Sequence, residues 1–84
     1  MHSPTEMIRT FPPPAPADLL SLLTPRERDI VLLIAYRAFT NHQISNELGT
    51  SEQTVKNQIT VIFRKVGALS RAQLALYVIR GGVL

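Results

Sequence analysis

Between Ser51 and Lys65 the chain sets Gln53, Asn57, Thr60 and Arg64 at spacings that, at about 100° per residue, gather on one side of a helix. Lys56 and Gln58 flank that stripe. Amides, hydroxyls and cations along one rod are the groups that read base edges: an amide matches adenine, Arg matches guanine, and the threonine methyl meets that of thymine. The first turn adds the Ser51 and Thr54 hydroxyls beside unpaired backbone N–H groups, a setting that holds a phosphate. Glu52 in the same turn repels a phosphate and is expected to point away from one. The reverse side carries Val55, Ile59, Ile62, Phe63 and Val66, an apolar stripe that predicts packing on other helices.

The surrounding elements are those needed to present such a helix. Thr40 or Asn41 caps a second helix bearing Ile44 and Leu48, Gly49 supplies its left-handed end, and Ser51 caps the third helix, which runs from Glu52 to about Val66 and ends at Gly67. Capped helix, glycine turn, capped helix over about 41–60 is the pattern of a helix-turn-helix. Upstream, Thr24-Pro25 starts a first helix that runs to Tyr36 or Arg37, with Glu27 placed to close a capping box and Ile30, Leu33 and Ile34 as its core stripe. Downstream, Ser70 caps a fourth helix, Arg71 to Arg80, closed by Gly81-Gly82. Leu74, Ala75 and Val78 suffice for its core stripe, which leaves Leu76 and Tyr77, with Arg80 beside them, for a second partner. No β-alternating segment of useful length occurs, so the fold predicted is all-α, a compact four-helix bundle containing a helix-turn-helix.

Composition narrows the function classes. With 84 residues there is room for one small domain, and nine Lys and Arg against six Asp and Glu leave a charge of +3, which fits attraction to polyanions. Without cysteine there is neither a disulfide nor a thiolate metal site. The histidines are His2 and His42, with no carboxylate pair or nucleophile placed around either, so neither an enzyme nor a cofactor or metal is expected. His42, Arg28, Asp29 and Glu47 read as ordinary surface groups. The apolar run Ile30 to Tyr36 falls far short of the roughly 20 residues that span a bilayer, and no signal segment opens the chain, so a soluble cytoplasmic protein is expected. Met1 to Ala17 holds five of the six prolines; residues 1–18 are expected to form a flexible tail or linker and 19–84 the folded domain.

One resemblance runs through Leu23-Thr24-Pro25-Arg26-Glu27-Arg28, Ile44-Ser45-Asn46-Glu47-Leu48-Gly49, Thr54-Val55-Lys56-Asn57, Ile62-Phe63-Arg64-Lys65-Val66-Gly67 and Ser70-Arg71-Ala72-Gln73-Leu74. In order and spacing these resemble the GerE-like, LuxR/FixJ/NarL-type helix-turn-helix domain of bacterial transcription regulators. The resemblance implies sequence-specific binding of double-stranded DNA with the third helix in the major groove. Lys56, Asn57 and Thr60 would reach bases, with Gln53 on the same face. Thr54, Arg64, Lys65 and Arg71 would lie nearer the phosphates, where Ser51 and Gln58 are placed with them. It implies a homodimer through the fourth helix, and usually a receiver or sensor domain upstream. A fragment of a larger regulator and a stand-alone effector are both compatible with the proline-rich lead. Three departures stand out: the loop Tyr36 to Thr40 lacks the usual glycine and is one residue longer, Gln58 replaces a common histidine, and Leu69 replaces a polar or basic residue. Leu32 takes an often polar position, which leaves room for a further contact surface on the first helix.

Two other readings compete. A helical interaction module that keeps the fold and binds only protein would use Leu76, Tyr77, Val83 and Leu84. A sigma-factor region that reads a promoter element has similar helices, but the extra helix from Ser70 onward argues against it. Operator, sign of regulation and upstream signal are not encoded legibly.

Overall fold

The computed structural model describes residues 19–82. A 3-10 turn, Leu19–Leu22, leads into four α-helices: α1 Pro25–Arg37, α2 Asn41–Leu48, α3 Glu52–Val66 and α4 Arg71–Tyr77. A wider π turn, Val78–Gly82, follows α4. Among the described residues there is no strand, and no helix is long and apolar enough to cross a membrane. The proline-rich stretch 1–18 and the apolar pair Val83-Leu84 lie outside the described residues.

Each helix begins where a hydroxyl can replace a missing backbone acceptor. Thr24, Thr40, Ser51 and Ser70 accept from the backbone N–H three residues on, at 3.0–3.2 Å. Glu27 and Gln43 return the bond to the Thr24 and Thr40 amides, closing two capping boxes. Thr40 is therefore the cap of α2, and Asn41 its first residue. Gly49 and Gly67 end α2 and α3 with φ of +69° and +78°. The glycine missing after α1 has been replaced by strain: Ala38 itself takes the left-handed conformation, φ 52°, and its N–H and that of Phe39 both reach the Leu33 carbonyl.

The core forms where the four helices converge. Ile30, Val31 and Ile34 of α1, Ile44 of α2, and Val55, Ile59, Ile62 and Val66 of α3 are buried together with Leu19 and Leu23. Val31 takes the fully buried place expected of Leu33, and both Leu33 and Phe63 are half-buried at its edge. α2 packs chiefly on α3, and α1 on α4 and the turn after it.

α4 departs from expectation in two ways. It stops as an α-helix at Tyr77 rather than Arg80, because the widened turn begins at Val78, whose side chain is fully buried against α1 and the 3-10 turn. Tyr77 is also a core residue, 6% exposed, instead of a free surface group. Leu74, Tyr77 and Val78 stand at i, i+3 and i+4, which makes one stripe. Half-buried Ala75 lies off it, and Leu76, Ile79 and Arg80 remain exposed.

Two polar ties bridge elements far apart in sequence. Glu27, inside its capping box, also accepts from Lys65 Nζ at 2.8 Å, which joins the start of α1 to the end of α3. Burial alone would raise the Glu27 pKa, but the Lys65 ammonium and the Thr24 donors outweigh it and hold the carboxyl below its ordinary value. Arg71, at the start of α4, donates to Asn41 Oδ1 at 2.8 Å and to the Phe39 carbonyl at 2.6 Å. Arg37 lies 4.9 Å over the Phe39 ring, so the loop between α1 and α2 is gripped from both ends.

Three outcomes follow. Ala38→Gly should raise unfolding free energy by about 0.5–1 kcal/mol in urea titrations, since glycine takes φ > 0 without a Cβ penalty; a loss of stability would contradict the strain. Lys65→Met should cost about 2 kcal/mol at neutral pH, the scale of a charge-assisted bond. With the Glu27 pKa lowered in the folded state, that contribution is complete above the ordinary carboxyl value and disappears as pH falls through the lower folded one, so wild type and Lys65→Met should converge in acid. Arg71→Lys should lose about 1.5 kcal/mol, because an ammonium cannot span the two acceptors that the guanidinium fork serves.

Candidate nucleic-acid interface

α3 is held from one side. Its buried stripe seals it to the core, while Gln53, Lys56, Asn57, Thr60 and Arg64 are all exposed along the other face. The turn that sets its direction is tight: the Gly49 and Thr50 amides both bond to the Ser45 carbonyl, and the buried Ser45 hydroxyl donates to the His42 carbonyl at 2.7 Å. With Ile44 fully buried, α2 cannot shift against α3 without opening the core.

The outer face carries its own hydrogen bonds. At the first turn the Ser51 hydroxyl donates to Thr54 Oγ1 at 2.9 Å while accepting the Thr54 N–H, which leaves the Thr54 hydroxyl proton free to be donated outward. Gln53 Nε2 donates to Asn57 Oδ1 at 2.9 Å, and Thr60 Oγ1 donates to the Lys56 carbonyl at 3.0 Å. Glu52 turns toward α2, its carboxylate 3.7 Å from His42 Nδ1, and Asn46 Nδ2 lies 3.2 Å from His42 Nε2. That cluster at the mouth of the turn had no signature in sequence beyond three polar residues on adjoining helices.

The residues expected nearer phosphates divide. Ser51, Thr54 and Arg64 are exposed on α3. Lys65 and Arg71 instead have their charged groups committed to Glu27 and to the Asn41 and Phe39 oxygens. Gln58 is half-buried, and its Oε1 is enclosed with no hydrogen-bond partner among the described residues. Leu69 is exposed in the loop after α3, its N–H bonded to Gln73 Oε1 at 2.6 Å.

A second surface lies between α1 and α2, where Leu32, Leu33, Tyr36 and Leu48 line a shallow cleft rimmed by Asp29, Glu47 and Arg37. Two carboxylates on the rim oppose a phosphate chain. The polyanion-compatible face is the outer face of α3. Among the described residues no group of His, Asp and Glu is arranged to hold a metal ion.

The chain is similar in sequence to known proteins. Residues 21–78 match the family described as bacterial regulatory proteins, luxR family. The chain is 38% identical to the spore germination protein GerE of Bacillus subtilis, over 75% of this chain and 84% of that protein. It is 36% identical to the two-component response regulator PprB of Pseudomonas aeruginosa, over 76% of this chain and 26% of PprB. The transcriptional regulatory protein ComA of Bacillus subtilis is 33% identical over 90% of this chain and 35% of ComA. The chain thus spans most of GerE but only a minor part of PprB and ComA. A family match across residues 21–78, on a bundle whose second and third helices form a helix-turn-helix, places the chain in the luxR family of bacterial regulatory proteins.

Proposed function

We propose that this chain is a DNA-reading regulator domain that lays α3 in the major groove of double-stranded DNA, with Gln53, Lys56, Asn57 and Thr60 toward bases and Ser51, Thr54 and Arg64 toward phosphates. The observation that carries the reading is the outer face of α3, where five polar or cationic side chains stand exposed on a helix whose reverse side is the core. A helix has the width to enter that groove, and these side chains supply both base-edge chemistry and positive charge. Lys65 and Arg71 serve first to hold the interface in shape, by gripping α1 and the loop before α2.

Two copies acting together complete the proposal. Leu76 of α4 and Ile79 of the π turn after it are 44% and 43% exposed beside Arg80, an apolar strip that a second copy would cover. Paired copies would present two α3 helices to half-sites about one helical turn apart. PprB carries the name of a two-component response regulator; by extension, the domain would act as the effector end of such a signalling protein, in the bacterial cytoplasm.

The test is a mobility-shift titration with mixed genomic duplexes across a range of salt. Affinity should fall steeply as salt rises, and Lys56→Ala should lower the slope of log affinity against log salt by about 1. The double variant Lys56→Ala, Asn57→Ala should lose most of its sequence preference while keeping the helical circular dichroism of the wild type. Absence of any duplex binding at low salt by the folded protein would sink the reading, and self-association without such binding would favour a protein-interaction module.

A further inference from the structure

Two hydrogen bonds on the exposed face of α3 restrict what that face can read. A free asparagine turns its amide over at little cost and can present oxygen or nitrogen first. Asn57 is not free in that sense, because Gln53 Nε2 donates to its Oδ1 at 2.9 Å from one turn upstream. The bond favours one order of the Asn57 amide along the helix, oxygen toward Gln53 and Nδ2 away from it. One Oδ1 lone pair and both Nδ2 hydrogens remain for a partner. Thr60 is restricted differently: its hydroxyl proton goes to the Lys56 carbonyl at 3.0 Å, so what it can bring to a partner is its methyl group and an acceptor.

The bases answer these patterns unequally. Adenine shows the major groove an N6 donor beside an N7 acceptor, the complement of an oriented amide. Guanine shows two acceptors, one of which would face Oδ1 and repel it. The Thr60 methyl gains from contact with the thymine methyl, which cytosine lacks; the Thr60 oxygen can still accept from cytosine N4, so the methyl contact alone carries the discrimination. Asn57 and Thr60 lie three positions apart on one exposed face, about 4.5 Å of helix rise, close enough for the two side chains to serve one short stretch of groove.

Resting on the reading of α3 as a major-groove helix, we propose that Gln53 is a positioning residue that orients Asn57 to read an adenine, and that Thr60 reads the methyl of a thymine in the same short stretch of groove. Lys56, whose ammonium has no partner among the described residues, adds positive charge beside them on the same face.

Selection of bound sites from a random duplex library with the 84-residue chain, followed by fluorescence anisotropy on the selected duplex, tests this. Selected half-sites should share an adenine and a thymine within one such stretch. Replacing that adenine by 7-deaza-adenine should weaken wild-type binding at least about fivefold, and replacing it by guanine more. Gln53→Leu should narrow the adenine-over-guanine preference and Asn57→Ala should remove it, both with the helical circular dichroism of the wild type, a split that a loss of fold would not give. Uracil for thymine should weaken the wild type and Thr60→Val alike but not Thr60→Ser. Equal affinity for the 7-deaza duplex, or full discrimination by Gln53→Leu, overturns the assignment. Duplex binding with no A·T preference at these pairs overturns it while the major-groove reading stands, and a folded chain that binds no duplex overturns both.

Discussion

The structure depends on holding α3 by one side only. Four aliphatic side chains, Val55, Ile59, Ile62 and Val66, are nearly or wholly removed from water, and burying each is worth roughly 1.5–3 kcal/mol. The single charge-assisted bond from Lys65 to Glu27 is smaller, about 2 kcal/mol. Apolar burial therefore supplies the adhesion, and the ion pair sets where the end of α3 comes to rest. A helix gripped in this way needs no contact across its outer face. That face can stay open because the capping hydroxyl of Ser51 and the left-handed Gly67 satisfy its ends locally.

The same economy governs charge. The total of +3 is not the charge that a partner meets. Arg28 donates to the Leu20 carbonyl, Arg37 lies over Phe39, and Lys65 and Arg71 are tied to α1 and to the loop before α2. On α3, Lys56 and Arg64 are the exposed cations without a partner among the described residues. Each neutralised phosphate steepens the salt dependence by about 0.9 on a logarithmic scale, so two cations give one copy a modest electrostatic hold. A second copy, as proposed, docked through the apolar strip that runs from α4 into the turn after it, would double the charge and, more importantly, make the second contact intramolecular.

What the sequence made legible was local. Caps, the Thr24–Glu27 capping box, left-handed Gly49 and the inner stripe of α3 follow from spacings of three and four residues and stand in the structure as expected, whereas the Thr40–Gln43 box, of the same spacing, was not anticipated. What it hid were relations between distant residues. Arg64 and Lys65 are adjacent cations, about 100° apart on the helix, and only the position of Glu27, 38 residues earlier, separates the exposed one from the tied one. Tyr77 and Ala75 compete for one place in the α4 stripe, and the larger ring wins because Leu74 and Val78 already define its face. The missing loop glycine gave no hint that Ala38 would adopt the glycine conformation unaided. Of the outer face, the inventory of side chains was plain from spacing, whereas the bonds that orient them required coordinates.

Those bonds matter in proportion to the water around them. An exposed Gln–Asn pair four residues apart is worth only about 0.2–0.5 kcal/mol on a helix surface, enough to favour one amide orientation about twofold in the free protein. If a groove closes over the face as proposed, the same bond would act in a poorer dielectric and a mismatched orientation would leave buried groups unpaired, so the bias would grow. Lys56 and Arg64 behave in the opposite sense. Their charges act at a distance and weaken with salt, and their long side chains keep the rotamer freedom that a specific contact would have to remove. In the proposed reading, one helix face would separate attraction from base selection, with exposed cations drawing a duplex near and a short, partly oriented amide placed where base edges would arrive.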